Sequence, residues 1–261
     1  MTLNLFDTHA HLDSPSLLEL GEELFGEAQA VGVNYINAIG TDLESSRRCV
    51  EIAESNHGVF ATVGVHPTAC HLAELAHWDE IRELAGRESV IGLGETGLDC
   101  YWDDCPLEIQ QQWFPKHIKL SHETHLPIVV HQRESETEIL ESFAACHDAG
   151  RINGVMHSYT GTWAAAQTCL DYGMYISFAG MVTFKNATDI QEIARQVPLD
   201  RILVETDSPY LTPHPHRGKK PNQPAMVVHT AKFIAELRGI DEAEFAQTST
   251  ENAKRLFGIK L

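Results

Sequence analysis

Eight short apolar runs, spaced out by stretches with helical periodicity, constrain this chain more than any other feature. The runs are Leu3 to Asp7, Tyr35 to Ile39, Val59 to Val65, Val90 to Leu93, Pro127 to Val130, Gly154 to Met156, Met174 to Phe178 and Arg201 to Val204. Most do not alternate polar with apolar residues, so they read as strands covered on both faces, the pattern of a parallel sheet. Between them, Leu17, Leu20, Leu24 and Ala28 mark one helix after the start signal Ser14-Pro15. A capping box, Thr41-x-x-Glu44, opens a helix expected to end near Gly58. Further helices are expected over Leu75 to Leu84, over Leu107 to Thr124, over Glu136 to Cys146, and around Ile190, Ile193, Ala194 and Val197. Pro115 should start the second of these late or kink it. Two more helices, stopped by Gly239 and Gly258, close the chain. Eight strands so arranged predict a (β/α)8 TIM barrel, one domain over 1–261 with extra C-terminal helices. A doubly wound open sheet is the competing arrangement.

With 261 residues the chain is long enough to bury a full core. Met1 to Phe6 has neither a basic n-region nor a long apolar h-region, and no apolar run reaches bilayer-spanning length. The six cysteines include no Cys-x-x-Cys pair and read as reduced thiols. A cytoplasmic protein is therefore expected, with no membrane contact and no stable protein partner. The 19 basic residues stand against 37 acidic ones, a net charge of −18. That argues against a broad basic surface tracking a nucleic-acid backbone, though not against a cleft acting on strand ends with cations inside it.

In a barrel, side chains at the carboxyl ends of strands face the site. The first such end carries His9 and His11, spaced by two and so on one side of an extended strand. The third carries His66, the fourth Glu95, the fifth His131 and then Arg133, the sixth His157, and the eighth Glu205 and Asp207. A lone histidine is usually a satisfied core or surface residue, and His214-Pro215-His216 shows that His-x-His also arises by chance. The shared register at so many strand ends is harder to assign to chance. The imidazoles and carboxylates at these ends exceed what one tetrahedral ion needs. The economical reading is two divalent ions (Mg, Mn or Zn) bridged by Glu95, with Asp207 holding one ion and accepting a proton from the activated water. Glu205 is expected either to orient a ligand histidine or to sit in the barrel interior.

Gly92, Gly94 and Gly97 spell G-x-G-x-x-G after a strand, but a glutamate stands in the phosphate turn and no helix start follows. A tight turn that lifts Glu95 into the site is the preferred reading. Arg217-Gly218-Lys219-Lys220 is the most basic stretch and reads equally as a phosphate contact or a solvated loop. Lys185 is a similar candidate, whereas Tyr159 and Trp163 read as packing residues.

These pieces together resemble the TatD-type metal-dependent hydrolases, a branch of the amidohydrolase-like TIM barrels. The matching segments are Phe6-Asp7-Thr8-His9-Ala10-His11-Leu12, Val63-Gly64-Val65-His66-Pro67, Gly94-Glu95-Thr96-Gly97-Leu98-Asp99, His157-Ser158-Tyr159-Thr160-Gly161, Thr183-Phe184-Lys185-Asn186-Ala187, Glu205-Thr206-Asp207-Ser208-Pro209-Tyr210-Leu211 and Asn252-Ala253-Lys254-Arg255-Leu256-Phe257-Gly258. The resemblance implies His9, His11, Glu95, His131, His157 and Asp207 as metal ligands, with His66 and Arg133 near the substrate. It implies a deoxyribonuclease trimming DNA from the 3′ end. Gln223 with Pro221, the segment Cys100 to Cys105, and Pro115 depart from the family pattern. A metal-dependent phosphodiesterase acting on DNA ends or short nucleic acids is therefore expected. The alternatives are an amidohydrolase acting on a small amide or ester, including an aminoacyl ester on tRNA, and a non-catalytic metal-binding protein.

Overall fold

All eight apolar runs form strands in a computed structural model that describes residues 3–146 and 151–259. They are β1 (Leu5–Ala10), β2 (Val33–Ile39), β3 (Val59–Val63), β4 (Val90–Asp99), β5 (Ile128–Arg133), β6 (Gly154–Met156), β7 (Tyr175–Phe178) and β8 (Ile202–Val204). Each pairs in parallel with the next, in sequence order. The two edges of the sheet then meet. Ala10 bridges Ser208 in parallel. The Asp207 amide donates to the His9 carbonyl at 2.9 Å, and the His11 amide to the Ser208 carbonyl at 2.8 Å. The buried Asp7 carboxylate spans the same seam, accepting from the Thr206 amide at 2.8 Å and the Thr206 hydroxyl at 2.6 Å. The sheet is a nearly closed barrel, and the open-sheet alternative is excluded.

The helices α1 (Pro15–Leu18), α2 (Glu22–Ala30), α3 (Leu43–Ser55), α4 (Leu75–Leu84), α5 (Leu107–Thr124), α6 (Glu136–Cys146), α7 (Trp163–Asp171), α8 (Thr188–Gln196), α9 (Val227–Arg238) and α10 (Glu242–Phe257) complete the chain. Several depart from the expectation. The first helical stretch is two helices, because Gly21 takes φ +54 between them. The cap of α3 is Asp42, which accepts from the Ser45 amide, not the Thr41 capping box. Pro115 does not delay α5, which starts at Leu107 and runs through it. Helix α7 is not foreshadowed by the sequence reading; Thr162 caps it.

Two apolar layers hold this arrangement together. One lies between strands and outer helices and includes Leu5, Ala61, Leu93, Phe114, Phe143 and Ile234. The other fills the amino end of the barrel. There Phe6, Ile91, Val129, Val155, Tyr175 and Leu203 meet Ala253, Leu256 and Phe257 of α10, which closes the floor. Above the floor the interior turns polar. Asn37 donates to the Thr8 carbonyl at 3.3 Å and to the Thr62 hydroxyl at 2.9 Å, and Thr8 donates to the Val204 carbonyl at 3.0 Å. These bonds satisfy buried polar groups that would otherwise be costly, and they support the layer above.

Candidate metal centre

Strand β4 positions the central residue. It does not end in the expected tight turn at the glycines but runs on to Asp99 with Glu95 inside it. Gly94 and Gly97 hold φ of +148 and +135, a region that disfavours side chains. A Cβ on Gly94 would lie 2.6 Å from the Val129 carbonyl oxygen, and one on Gly97 would lie 2.0 Å from that of His131. The glycines thus let β4 press against β5 and bring Glu95 beside His131.

The two oxygens of Glu95 face different partners. Oε2 lies 3.3 Å from His9 Nε2 and 3.6 Å from His11 Nε2. Those nitrogens are 3.3 Å apart and lie 3.7 and 3.4 Å from Asp207 Oδ1. Ligands about 2.0–2.2 Å from a tetrahedral ion stand about 3.3–3.6 Å from one another, so His9, His11 and Asp207 are spaced to share one cation, with Glu95 Oε2 beside the two imidazoles. Oε1 faces the other way, 2.8 Å from His157 Nε2, 2.9 Å from His131 Nδ1 and 3.5 Å from His66 Nε2. Three groups of potential ligands result: His9, Glu95 and His157; His9, His11 and Asp207; and His66, Glu95 and His131. All six expected ligands therefore converge, and His66 joins them.

The far side of each ring decides what its near side can do. His157 Nδ1 lies 3.2 Å from Glu205 Oε1, His131 Nε2 lies 2.8 Å from Asp99 Oδ2, and His11 Nδ1 lies 3.3 Å from the Ile39 carbonyl. Those partners only accept, so each ring can keep a proton there and give up the one on its inner nitrogen to a cation, as metal-binding imidazoles do. His66 is reversed. Its Nδ1 accepts from the Thr68 amide at 3.2 Å. Burial pushes the ring below its usual pKa, so it is neutral with its one proton on Nε2, facing inward as a donor. His9 differs again: its Nδ1 is buried without a hydrogen-bond partner.

The electrostatics also suit cations. Burial raises the Glu95 carboxyl, but the imidazoles of His157, His66 and His9 overcome it and hold Glu95 well below the carboxylate range. Burial likewise opposes ionisation of Asp207, and His11 outweighs it. His11 is carried up to about 9, the hydrogen bond with Asp207 overcoming burial. His157, beside Glu95 and Glu205, is pushed well above its usual value against the same burial. This buried negative charge draws positive charge into the site, and the donor set fits divalent metal.

Glu205 is buried in the interior and also touches His157, which joins the two readings offered for it. Asp99 escaped the sequence reading. Only its register opposite Arg133 on β5 would have placed it behind His131. Arg133 reaches the rim, its guanidinium carbon 3.7 Å from the Tyr101 ring centre. Arg217, Lys219, Lys220 and Lys185 are exposed, with Arg217 resting 4.2 Å from the Phe184 ring centre. His216 pairs with the His229 ring, not with the cluster. Gln223 turns its amide to Glu27 of α2 at 2.5 Å. Tyr159 is buried and Trp163 packs against the outer core. No described helix is long and apolar enough to cross a membrane.

Comparison with known proteins agrees with this fold. A family model described as TatD related DNase matches residues 6–258. The Bacillus subtilis protein named "Uncharacterized metal-dependent hydrolase YabD" is 42% identical over 258 residues, covering 98% of this chain and 99% of that protein. The Citrobacter rodentium protein named "3'-5' ssDNA/RNA exonuclease TatD" is 30% identical, covering 98% of this chain and 99% of its own. The crystal structure of YJJV, a TatD homologue from Escherichia coli, superposes with a TM-score of 0.92 at 27% identity, over 100% of both chains.

Proposed function

Because this chain belongs to the TatD-related DNase family and is a metal-dependent hydrolase, we propose that it cleaves phosphodiester bonds at the ends of DNA, from the 3′ side, with two divalent ions. The observation that carries this reading is the division of Glu95, whose two oxygens face two separate groups of donors. His9, His11, Asp207 and Glu95 would hold one ion; Glu95, His131 and His157 would hold the other. Divalent ions in such a setting supply Lewis acidity and neutralise charge on a phosphoryl group.

The protein's own groups do the rest. Asp207 stays anionic under the His11 and His9 imidazoles and takes the proton of the attacking water. His66 presents its Nε2 proton to a phosphoryl oxygen, where charge develops. Asp99 and Glu205 keep the His131 and His157 rings in their ligating tautomers. Arg133 waits at the rim for the neighbouring phosphate. The name of the Citrobacter relative supports the 3′ to 5′ direction and single-stranded substrates.

The test is digestion of 5′-labelled single-stranded oligonucleotides with added Mg2+, Mn2+ or Zn2+. A ladder shortening from the 3′ end is expected. Full activity in a His131→Ala, His157→Ala double variant would overturn the assignment. The net charge of −18 favours a second reading, hydrolysis of a small amide or ester, because phosphate chains are repelled by such a surface. An ester and amide panel that includes aminoacyl-tRNA, run beside DNA, separates the two.

A further inference from the structure

Among the described residues, three aromatic side chains are exposed: Tyr101 at 47%, Trp102 at 51% and Tyr210 at 60%. All three sit on the face that carries the metal-type cluster. Tyr101 and Trp102 follow β4, and Tyr210 follows β8, its ring centre 6.0 Å from that of His11. Tyr101 and Trp102 meet edge to face at 4.9 Å. The Arg133 guanidinium lies over Tyr101 and 5.5 Å from the Trp102 ring centre. No carboxylate pairs with Arg133 among the described residues.

One carboxylate fixes this corner to the centre. Asp99 Oδ1 accepts from the amides of Tyr101 and Trp102, both at 2.9 Å, while Oδ2 holds His131 at 2.8 Å. The aromatic pair therefore stands at a set place relative to the imidazole that faces Glu95. Exposed aromatic rings gathered on one face mark a binding surface. Rings beside a free guanidinium suit a flat ligand that carries an adjacent anion. A nucleobase with its phosphate has that chemistry, and stacking accepts any base because each has a π-face.

We propose that Tyr101, Trp102 and Arg133 form a subsite for the base next to the cleaved end, stacked on Trp102 with its phosphate on Arg133. This rests on the nucleic-acid reading of the same site. It makes recognition depend on the presence of a base and not on its identity. It also gives the Cys100 to Cys105 segment a function.

The test is binding of a fluorescein-labelled single-stranded adenine pentamer to the metal-loaded protein, measured by anisotropy, with the scissile linkages as phosphorothioates. A second pentamer carries tetrahydrofuran residues in place of its two 3′-terminal nucleosides. The wild type is expected to bind the base-bearing pentamer about tenfold more tightly. Trp102→Ala should abolish that preference, and Trp102→Phe should keep most of it. An equal preference in wild type and Trp102→Ala, or none in the wild type, overturns the proposal. Base-dependent binding without cleavage of the unmodified pentamer sinks the phosphodiesterase reading and leaves the subsite standing. Cleavage indifferent to the missing bases does the reverse.

Discussion

At the amino ends of the strands, Phe6, Ile91, Val129, Val155, Tyr175 and Leu203 press against Leu256 and Phe257 of α10. At the carboxyl ends of the same strands, His9, Glu95, His131 and Asp207 crowd one another. One set lowers its free energy by leaving water. The other has left water at a cost, and holds its carboxylates ionised there through the imidazoles around them. Strands that are apolar below and ionic above divide stability from chemistry along their length, so a substitution should strike one and spare the other.

The largest expected effect is at the mouth. Glu95→Gln removes the charge shared by both donor groups, and turnover should fall on the order of a thousandfold or more. Metal content, read by elemental analysis, should fall with it, while the thermal unfolding midpoint changes little at a pH where the imidazoles freed of Glu95 can shed their protons. Chelator treatment of the wild type should reproduce the loss, and added divalent ion should reverse it. A large drop in the midpoint of Glu95→Gln would erase the distinction between the two ends.

Below the mouth, Phe257→Ala should cost about 3–5 kcal/mol in urea unfolding. Activity per folded molecule and metal stoichiometry should stay close to wild type. Loss of metal from this variant under folding conditions would show that the floor supports the site directly.

His117 tests a buried imidazole outside the cluster. It accepts from the Val65 amide at 3.1 Å and donates to the Trp113 carbonyl at 3.0 Å. Burial pushes it down to about 4. The unfolded chain binds this proton near pH 6.5 and the folded one only near 4, so its share of stability is complete above 6.5 and lost as pH falls to 4. That share is about 3 kcal/mol. His117→Gln, whose amide can still accept from Val65, should flatten stability between pH 6.5 and 4, as measured by denaturant melts. An unchanged slope would discount the shift.

Asp99→Asn should have the smallest effect, weakening metal binding about 10- to 100-fold through His131, with little change in unfolding. Metal titration of the stripped protein measures it. Unaltered affinity would mean that the His131 ring needs no support.

The strands and the residues at their ends were legible in the sequence because both depend on local pattern: an apolar run, then a ligand type. What stayed hidden depends on register or on backbone torsion. Asp99 acquires its place only when β4 is read past its glycines and laid against β5. The break at Gly21 and the cap at Asp42 turn on single backbone angles, which periodicity does not report. The orientation of His66 lies in one bond from Thr68, beyond any spacing rule.

The seam between β1 and the segment after β8 has a wider meaning. His9 and His11 stand on one side of it and Asp207 on the other. A cation gripped by all three would act as a clasp between the first and last parts of the chain. A nascent polypeptide not yet extended to Asp207 would have no complete grip to offer. Hydrolytic power would then arrive only once the chain has passed Asp207 and the barrel has closed, which would guard the cell against half-made enzyme.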